Sequence, residues 1–229
     1  MANTEITIEV LENKKACNSM HYLRTTKPEN FSFLPGQYIS AKTENEKNVY
    51  LALASHPTNN YLEFLINKAN FAGSTLCRKV PGDTMSISEP IGPGFITDDL
   101  KGKTIYLITH GSGLSAIKPL IEEIRMAREN YGSVRFLYGV RTKDDFPLPD
   151  LLHSWMGSIE YYDIISQDPK DKSIWNADVG YVQDILKRIA PKPDNSIAIV
   201  IGSKEFDNDI KEILNGFGFR DDQILDNIK

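Results

Sequence analysis

The stretch that decides the fold is YLITHGSGLSA, residues 106–116. Its first four residues are β-prone and are typical of the end of a buried strand. An apolar stripe of helical spacing follows the Gly-Ser-Gly: Leu114, Ile117, Leu120, Ile121 and Ile124. A strand, a glycine turn and a helix in this order form a candidate phosphate cradle, because the first turn of a helix leaves backbone N–H groups unpaired. The alternative is an ordinary strand-to-helix turn of a parallel sheet. Ala116 stands where a GxGxxG fingerprint has its third glycine, so this stretch alone leaves both interpretations open.

The composition is that of a globular protein. Of the 229 residues, 41% are hydrophobic and 25% are charged, and the formal net charge is −5. Basic residues never cluster beyond pairs, which disfavours a nucleic-acid-binding surface. A chain of this length can hold one large domain or two small ones.

Cysteine, histidine and hydropathy patterns disfavour other classes. Cys17 and Cys77 form no CxxC pair, and the four histidines show no zinc-ligand spacing. A reducing compartment is therefore the default. The N-terminal MANTEITIEV lacks the basic and apolar parts of a signal peptide, and no stretch approaches the ~20 apolar residues of a membrane span. These features predict a cytoplasmic protein with no membrane span.

The first hundred residues show the punctuation of an antiparallel β structure. Short β-prone runs occur at 6–10, 19–26, 37–43, 48–54, 61–66 and 85–87. Pro, Gly and Asn turn signals separate them, and one short helix is expected at about 73–79. This spacing predicts a sandwich or small barrel.

From Lys103 the periodicity changes. Strand-like runs at 104–109, 134–140, 159–165 and 196–201 alternate with helical patterns at 114–129, 148–156, 179–190 and 205–216. Such alternation indicates βαβ units around a parallel sheet. The glycine-rich segment 91–103 is the expected boundary, which gives a first domain of residues 1–99 and a second of residues 100–229.

The order of these pieces resembles the ferredoxin–NAD(P)H reductase superfamily, whose members join a flavin-binding β-barrel to a nicotinamide-binding, Rossmann-like α/β domain. Three segments resemble barrel motifs of that family: FLPGQYISAK (33–42), LASHP (53–57) and VPGDTMSISEPIGPGF (80–95). THGSGLSAIKPLI (109–121) resembles its nicotinamide loop. Three further segments follow in family order: 136–152, 166–186 and 199–214. Within that superfamily, the sequence most resembles a poorly characterised, plant-type reductase-like subgroup.

The resemblance implies two cofactors, FAD and NAD(P)H. It gives the Gly-Ser-Gly a role under the nicotinamide pyrophosphate and places further residues at that site. The implied nicotinamide residues are Thr109, Gly111, Ser112, Gly113, Leu114, Arg141, Ser166, Gln167, Gly202 and Ser203. His110 replaces a family glycine, and both a turn-capping and a catalytic role are open for it. Arg141 has two interpretations as well: it contacts the phosphates of the nicotinamide nucleotide, or it is a surface arginine whose aliphatic part packs on the protein.

The flavin strand departs from the family pattern R-x-Y-S-x-x-S. Val49 stands in place of an arginine that holds the flavin pyrophosphate, Leu51 in place of a ring-covering tyrosine and Ala52 in place of a serine. Ser55 is retained. Tyr50 is one position off, so its side chain is expected on the opposite face of the strand. Through backbone and small side chains, the residues expected to line the ring are Leu51, Ala52, Leu53, Ala54 and Ser55.

A second segment is expected at the flavin pyrophosphate. By resemblance it comprises Gly73, Ser74, Thr75 and Leu76, with Lys68 as a replacement for the missing positive charge. Ser74 or Thr75 is a natural N-cap, and free amides there suit an anion. The alternative is a plain helix cap beside a solvated lysine.

The second half also departs from the family. Ile201 occupies the place of a cysteine near the hydride-transfer site, and the chain does not end in an aromatic residue. Gln167 stands where NADPH-using relatives often have a basic residue, which weakly favours NADH, although Lys170 or Lys172 can supply that charge.

These observations predict a flavin-dependent oxidoreductase that passes hydride between NAD(P)H and an unidentified acceptor, for which a redox protein is one candidate. No catalytic acid–base residue and no metal site are predicted, since the cofactors carry the chemistry. The alternative, motivated by the lost flavin residues, is a degenerate reductase fold without flavin turnover that serves as a binding module or subunit.

Overall fold

The computed structural model describes residues 5–42, 48–69, 71–167 and 178–228. Its contacts divide the chain into two compact units. The antiparallel unit comprises Met1–Ile96, Leu114–Glu123 and Asn227–Lys229, and the parallel unit comprises Thr97–Gly113 and Ile124–Asp226. None of the helices in the described ranges has the length and apolar character needed to cross a bilayer.

The antiparallel unit is built on six strands. They are β1 (Ile6–Lys15), β2 (Met20–Thr26), β3 (Tyr38–Lys42), β4 (Asn48–Ala52), β5 (Tyr61–Asn67) and β6 (Thr84–Ile87), and a short helix α1 (Phe71–Leu76) follows β5. The strand order is β4-β3-β6-β1-β2-β5, and contacts between the two end strands curl the sheet into a barrel. Alternating residues such as Ile8, Val10, Ile39 and Ala41 fill its core, as the period of a strand requires.

The parallel unit is a six-stranded sheet with helices. Its strands are β7 (Thr104–His110), β8 (Val134–Val140), β9 (Glu160–Ile165), β10 (Asp178–Val179), β11 (Ser196–Ile201) and β12 (Ile224–Leu225), in the order β10-β9-β8-β7-β11-β12. The helices are α2 (Leu114–Met126), α3 (Pro149–Trp155), α4 (Val182–Ile189) and α5 (Lys204–Gly216). The first ten residues of α2 are grouped with the antiparallel unit.

The predicted fold class, an antiparallel barrel followed by a parallel α/β domain, is confirmed. Two short parallel strands, β10 and β12, were not predicted, because two residues are too few to show a period. Strand β1 runs to Lys15, five residues beyond its predicted end. A register shift between Val10 and Glu12 breaks its alternation, so the sequence pattern ends at the bulge while the strand continues.

Candidate functional site: the glycine turn of the parallel sheet

The Gly-Ser-Gly forms a tight turn between β7 and α2. Gly111–Gly113 is a single 3₁₀ turn, and Tyr138 on the neighbouring strand donates a hydrogen bond to the Gly111 carbonyl at 2.8 Å. Gly111 has φ +52°, and a Cβ placed there would meet no atom within 4 Å. Gly113 is the N-cap of α2 and supplies no side-chain cap. The turn therefore presents backbone amides beside open space, which fits an anionic pyrophosphate.

Gly113 is required by packing rather than by the shape of the turn. A Cβ there would lie 2.2 Å from Thr109 Oγ1 and 3.0 Å from the Ile201 carbonyl oxygen. Thr109 is fully buried and donates its hydroxyl proton to that carbonyl at 2.7 Å. Its side chain therefore joins the ends of β7 and β11, while Leu114 is buried at the start of α2.

The other predicted nicotinamide residues lie at the carboxyl ends of neighbouring strands. The Gln167 amide donates to the Arg141 carbonyl at 2.9 Å, so these two exposed residues extend the pairing of β8 and β9. Ser166 is bonded in the same way to Val140. Ser203 caps α5 by accepting from the Phe206 amide at 3.3 Å. Gly202 precedes this cap, and the two lysines at 170 and 172 lie outside the described residues.

The predicted flavin residues of the antiparallel unit are mostly covered by the protein itself. Leu51 is 6% exposed and belongs to the barrel core, and Leu53, Ala54 and Ser55 are buried as well. Ala52 is half-buried. Tyr50 is 67% exposed and contacts Tyr38 edge-on, on the opposite face from Leu51 as expected. Any contact from this strand to a flavin ring therefore depends on Ala52, backbone groups and local opening.

The Ser55 side chain is the one retained polar group of the family's flavin strand. Its hydroxyl is buried and has no hydrogen-bond partner among the described residues. Buried hydroxyls in native structures are nearly always paired, so this atom is suited to an additional polar partner. The barrel thus retains one polar group for a flavin while lacking the charged and aromatic groups of the family pattern.

The expected N-cap of α1 is wrong. The helix begins at Phe71, so Ser74 and Thr75 lie within it instead of at its start. Helix formation extends further upstream than the serine and threonine signals suggest. Thr75 and Leu76 are buried. Lys68 is exposed and lies close enough to Cys77 to act on it electrostatically. Burial raises the pKa of the Cys77 thiol above its ordinary value, and the charges of Lys68 and Arg78 only partly oppose that rise.

A buried charged network was missed by the sequence analysis. Lys118, on α2, donates to Glu63 Oε2 at 2.8 Å, Glu122 Oε1 at 2.8 Å and the Ala54 carbonyl at 3.0 Å. Tyr22 donates to the other Glu63 oxygen, and Arg24 lies 3.2 Å from it. The sequence signal was available: each of Lys118 and Glu63 is a charge within an otherwise apolar run.

The network determines the ionisation of its members. Burial alone would raise the pKa of the Glu63 carboxyl, but Lys118 and the hydrogen bonds from Tyr22 and Arg24 outweigh it and hold that pKa below its usual value. Burial alone would lower the pKa of Lys118, and its two carboxylate partners raise it instead. Both groups are therefore charged at neutral pH, and the Ala54 carbonyl beside Ser55 is held by a fixed ammonium.

The comparisons with known proteins agree with this geometry. Residues 107–212, which include the glycine turn and the strand ends around it, match the family described as the oxidoreductase NAD-binding domain. A ferredoxin NADP⁺ reductase from Neisseria gonorrhoeae with bound FAD and NADP aligns with 98% of this chain and 98% of its own, with a TM-score of 0.81 and 16% identity. Residues 107–212 are therefore similar to that NAD-binding family, and the chain as a whole shares its fold with a ferredoxin NADP⁺ reductase.

Two curated relatives have a higher sequence identity to this chain than the Neisseria reductase has. The chain is 25% identical over 200 residues to the sulfhydrogenase 1 subunit gamma of Pyrococcus furiosus, which covers 86% of this chain and 68% of the relative. It is 27% identical over 209 residues to the fruit protein pKIWI502 of Actinidia deliciosa, covering 83% of this chain and 65% of the plant protein. The chain thus spans about two thirds of these relatives. The plant-type subgroup stays a prediction.

Proposed function

We propose that this protein is a flavin-dependent oxidoreductase that passes hydride and electrons between NAD(P)H and a second redox partner through FAD. The observation that carries the proposal is the turn Gly111–Gly113. It combines an open glycine with positive φ and a helix start without a side-chain cap, inside the segment matched by the NAD-binding family. With the nicotinamide nucleotide at this turn, residues 100–229 would form the nucleotide-binding domain and residues 1–99 would form the FAD-binding domain.

The parallel unit would hold the nucleotide mainly through its backbone. The Ser112 amide would donate to the pyrophosphate, because it precedes the i→i+3 bonds of the 3₁₀ turn, and the start of α2, which has no side-chain cap, would add its dipole to the attraction. Arg141 and Gln167, paired through their backbones at the neighbouring strand ends, would contact the rest of the nucleotide. Neither Ser166 nor Gln167 is basic, so NADH is expected to bind at least as well as NADPH.

The antiparallel unit would hold FAD more weakly than relatives with an intact R-x-Y-S. The flavin, when bound, supplies hydride acceptance and one-electron release. The chain would contribute the Ser55 hydroxyl and the half-buried Ala52 at the ring, and the Lys68 ammonium beside the segment 73–76 at the pyrophosphate. An Arg–phosphate contact is missing at Val49, and such charge-assisted contacts are among the strongest available.

The nucleotide site is tested by a pair of variants of equal shape. Gly111→Asn and Gly111→Asp both tolerate the left-handed backbone and both project into open space. Only the second adds a charge, and a carboxylate against a pyrophosphate should weaken NADH binding about tenfold or more relative to the asparagine variant, which is ~1.4 kcal/mol. Isothermal calorimetry measures both affinities.

Gly102→Asp is the matched control. Gly102 also has positive φ and open space at its Cβ position, but it precedes β7 and lies at the amino end of the sheet. This variant should bind NADH as the wild type does. Equal affinity of the two Gly111 variants would contradict the placement of the pyrophosphate at the turn.

The flavin half is tested by removing the cation proposed at the pyrophosphate. Lys68→Gln should weaken the binding of FAD about tenfold, since it removes the charge that takes the place of the family arginine. Titration of protein into FAD, followed by flavin fluorescence, measures the dissociation constant. The absorbance spectrum of freshly purified protein shows whether oxidised flavin is retained.

A second candidate function is a reductase-like subunit without flavin turnover. The observation that favours it is the burial of Leu51 in the barrel core, which removes the ring-covering side chain from the position that carries it in the family. One relative is the gamma subunit of a sulfhydrogenase, so a redox protein partner is in keeping with either candidate. If saturating FAD neither binds nor raises the melting temperature of the protein, the subunit role is favoured.

A further inference from the structure

His110 lies on the floor of the proposed nucleotide site. It is the last residue of β7, directly before the glycine turn. Its register partner on β8 is Gly139, and on the other side Gly202 follows β11. A Cβ at Gly202 would come within 3.1 Å of the His110 Nε2 atom. Glycines on both flanks therefore leave the imidazole uncovered by neighbouring strand side chains.

The imidazole of His110 is packed but not hydrogen-bonded. It contacts the Phe206 ring edge-on at 4.5 Å between centroids and remains half-buried. Neither ring nitrogen has a hydrogen-bond partner among the described residues, whereas His21 bonds to Asn13 and His56 bonds to Thr58 and Glu123. The capping role open for His110 thus has no supporting contact, because a cap requires a bond from the ring to the turn.

We propose that the His110 imidazole contacts the bound nucleotide directly, through a hydrogen bond from a ring nitrogen at the start of the glycine turn. The inference rests on the proposed function, since it concerns the same nucleotide. It assigns a binding role to a residue at a position where the family pattern has glycine. His110 would then contact the nucleotide beside the backbone amides of the turn. Its imidazole would add a side-chain hydrogen bond to those backbone contacts.

The surroundings of His110 predict how its charge responds to a ligand. Burial lowers the pKa of the ring, and no charged side chain contributes to that shift. The elements packed around it present uncharged groups: Gly139 from β8, Phe206 from α5, and the Tyr138 hydroxyl, which is bonded to Gly111. The charged side chains of the elements around it are Arg135 on β8, Asp184, Lys187 and Arg188 on α4, and Lys204, Glu205, Asp207, Asp209, Lys211 and Glu212 on α5, with Arg141 directly after β8.

An anion bound beside an otherwise neutral imidazole favours its protonated form. Nucleotide binding should therefore raise the pKa of His110, and by linkage the nucleotide should bind more tightly at low pH than at high pH. A pKa increase of about half a unit to one unit corresponds to at most about three- to tenfold in affinity between pH 8 and pH 5.5, because burial lowers the pKa of the free ring.

The experiment follows the Cε1–H resonances of the four histidines by NMR while NAD⁺ is added to the 229-residue protein. Assignment uses single His→Gln variants. We expect the His110 resonance to shift and its pKa to rise, and the resonances of His21, His56 and His153 to stay in place. Calorimetry with NAD⁺ at pH 5.5 and pH 8 should show the pH dependence in the wild type and in His153→Gln, and a flat profile in His110→Gln.

The outcomes separate this inference from the proposed function. If NAD⁺ does not bind the wild-type protein at any pH, the proposed function fails. If NAD⁺ binds but the His110 resonance, its pKa and the pH dependence are unchanged, the nucleotide site stands and the role of His110 is refuted. The resonance readout uses the wild-type protein, so it remains decisive if His110→Gln does not fold.

Discussion

The two units of this protein bury their interiors in opposite ways. The antiparallel unit encloses a charged network of Glu63, Lys118, Tyr22 and Arg24 beside its apolar core. The core of the parallel unit is almost entirely apolar, with strands such as β11 buried along their whole length. At the carboxyl edge of the sheet this unit presents glycines and backbone amides.

This difference indicates where each unit has kept room for a ligand. At the edge of the parallel sheet, Gly111 faces open space and α2 starts without a side-chain cap. In the antiparallel unit, Lys118 already occupies the Ala54 carbonyl, and the Leu51 side chain fills the core. A site built from backbone survives extensive substitution of side chains, whereas a site built from an arginine and a tyrosine is lost with them.

The largest effect is expected from removing the cation of the buried network. Lys118→Met would leave the Glu63 carboxylate buried without its main partner, which typically costs about 3–5 kcal/mol of unfolding free energy. Urea denaturation followed by circular dichroism measures the loss. The matched control is Lys101→Met. The Lys101 and Asp98 side chains of that ion pair are 49% and 77% exposed, so the pair is expected to contribute about 0–1 kcal/mol to the unfolding free energy.

The double variant Lys118→Met/Glu63→Leu sharpens this prediction. Replacement of both partners by apolar side chains removes the uncompensated charge, so much of the lost stability should return. Equal stability of the Lys118→Met variant and the wild type would show that the network contributes nothing to the fold.

The next effect is the acid sensitivity of the antiparallel unit. The pKa of Glu63 is lower in the folded protein than its ordinary value, so below that ordinary value the unfolded chain binds more protons than the folded one. The unfolding free energy should therefore fall as the pH drops from about 4.5 through the folded-state pKa. Urea titrations between pH 3 and pH 6 should show a steeper loss in the wild type than in Glu63→Gln. Parallel slopes in the two proteins would contradict the assignment.

The fold could be predicted from the sequence because both periodicities were strong. The alternation in β1 and the helical stripe from Leu114 each belong to an element that buries one face, and burial enforces the pattern. Boundaries failed where a bulge or a two-residue strand carries no period, as at Val10 and in β12.

The candidate site could be predicted only in part. The glycine turn was visible because positive φ and close approach both select glycine, as Gly111 and Gly113 demonstrate. The packing of His110 against Phe206 and the network at Lys118 were not visible, because they join residues that are far apart in the chain and no periodicity relates them.

A smaller effect separates the two glycines of the turn. Gly113→Ala places a methyl group against Thr109 Oγ1 and the Ile201 carbonyl, which should cost about 1–3 kcal/mol through overpacking. Gly111→Ala meets open space and should cost about 1 kcal/mol through its left-handed backbone alone. Thermal denaturation of the two variants measures the difference. A larger loss in Gly111→Ala than in Gly113→Ala would reverse the roles assigned to them.

The smallest effect concerns the outer face of the barrel. Tyr50 is 67% exposed, and its one aromatic contact among the described residues is the edge of Tyr38. Because little apolar area leaves water there, Tyr50→Thr should change the unfolding free energy by less than about 0.5 kcal/mol, with the β-prone threonine keeping the strand. The neighbouring Leu51→Thr, on the buried face, should cost about 2–4 kcal/mol, since it removes a core side chain and buries a hydroxyl. Urea denaturation of the pair measures which face of β4 the barrel depends on. If Tyr50→Thr were the more damaging of the two, the strand would have to lie in the opposite register, and Leu51 would be returned to the face on which the family carries its flavin-covering tyrosine.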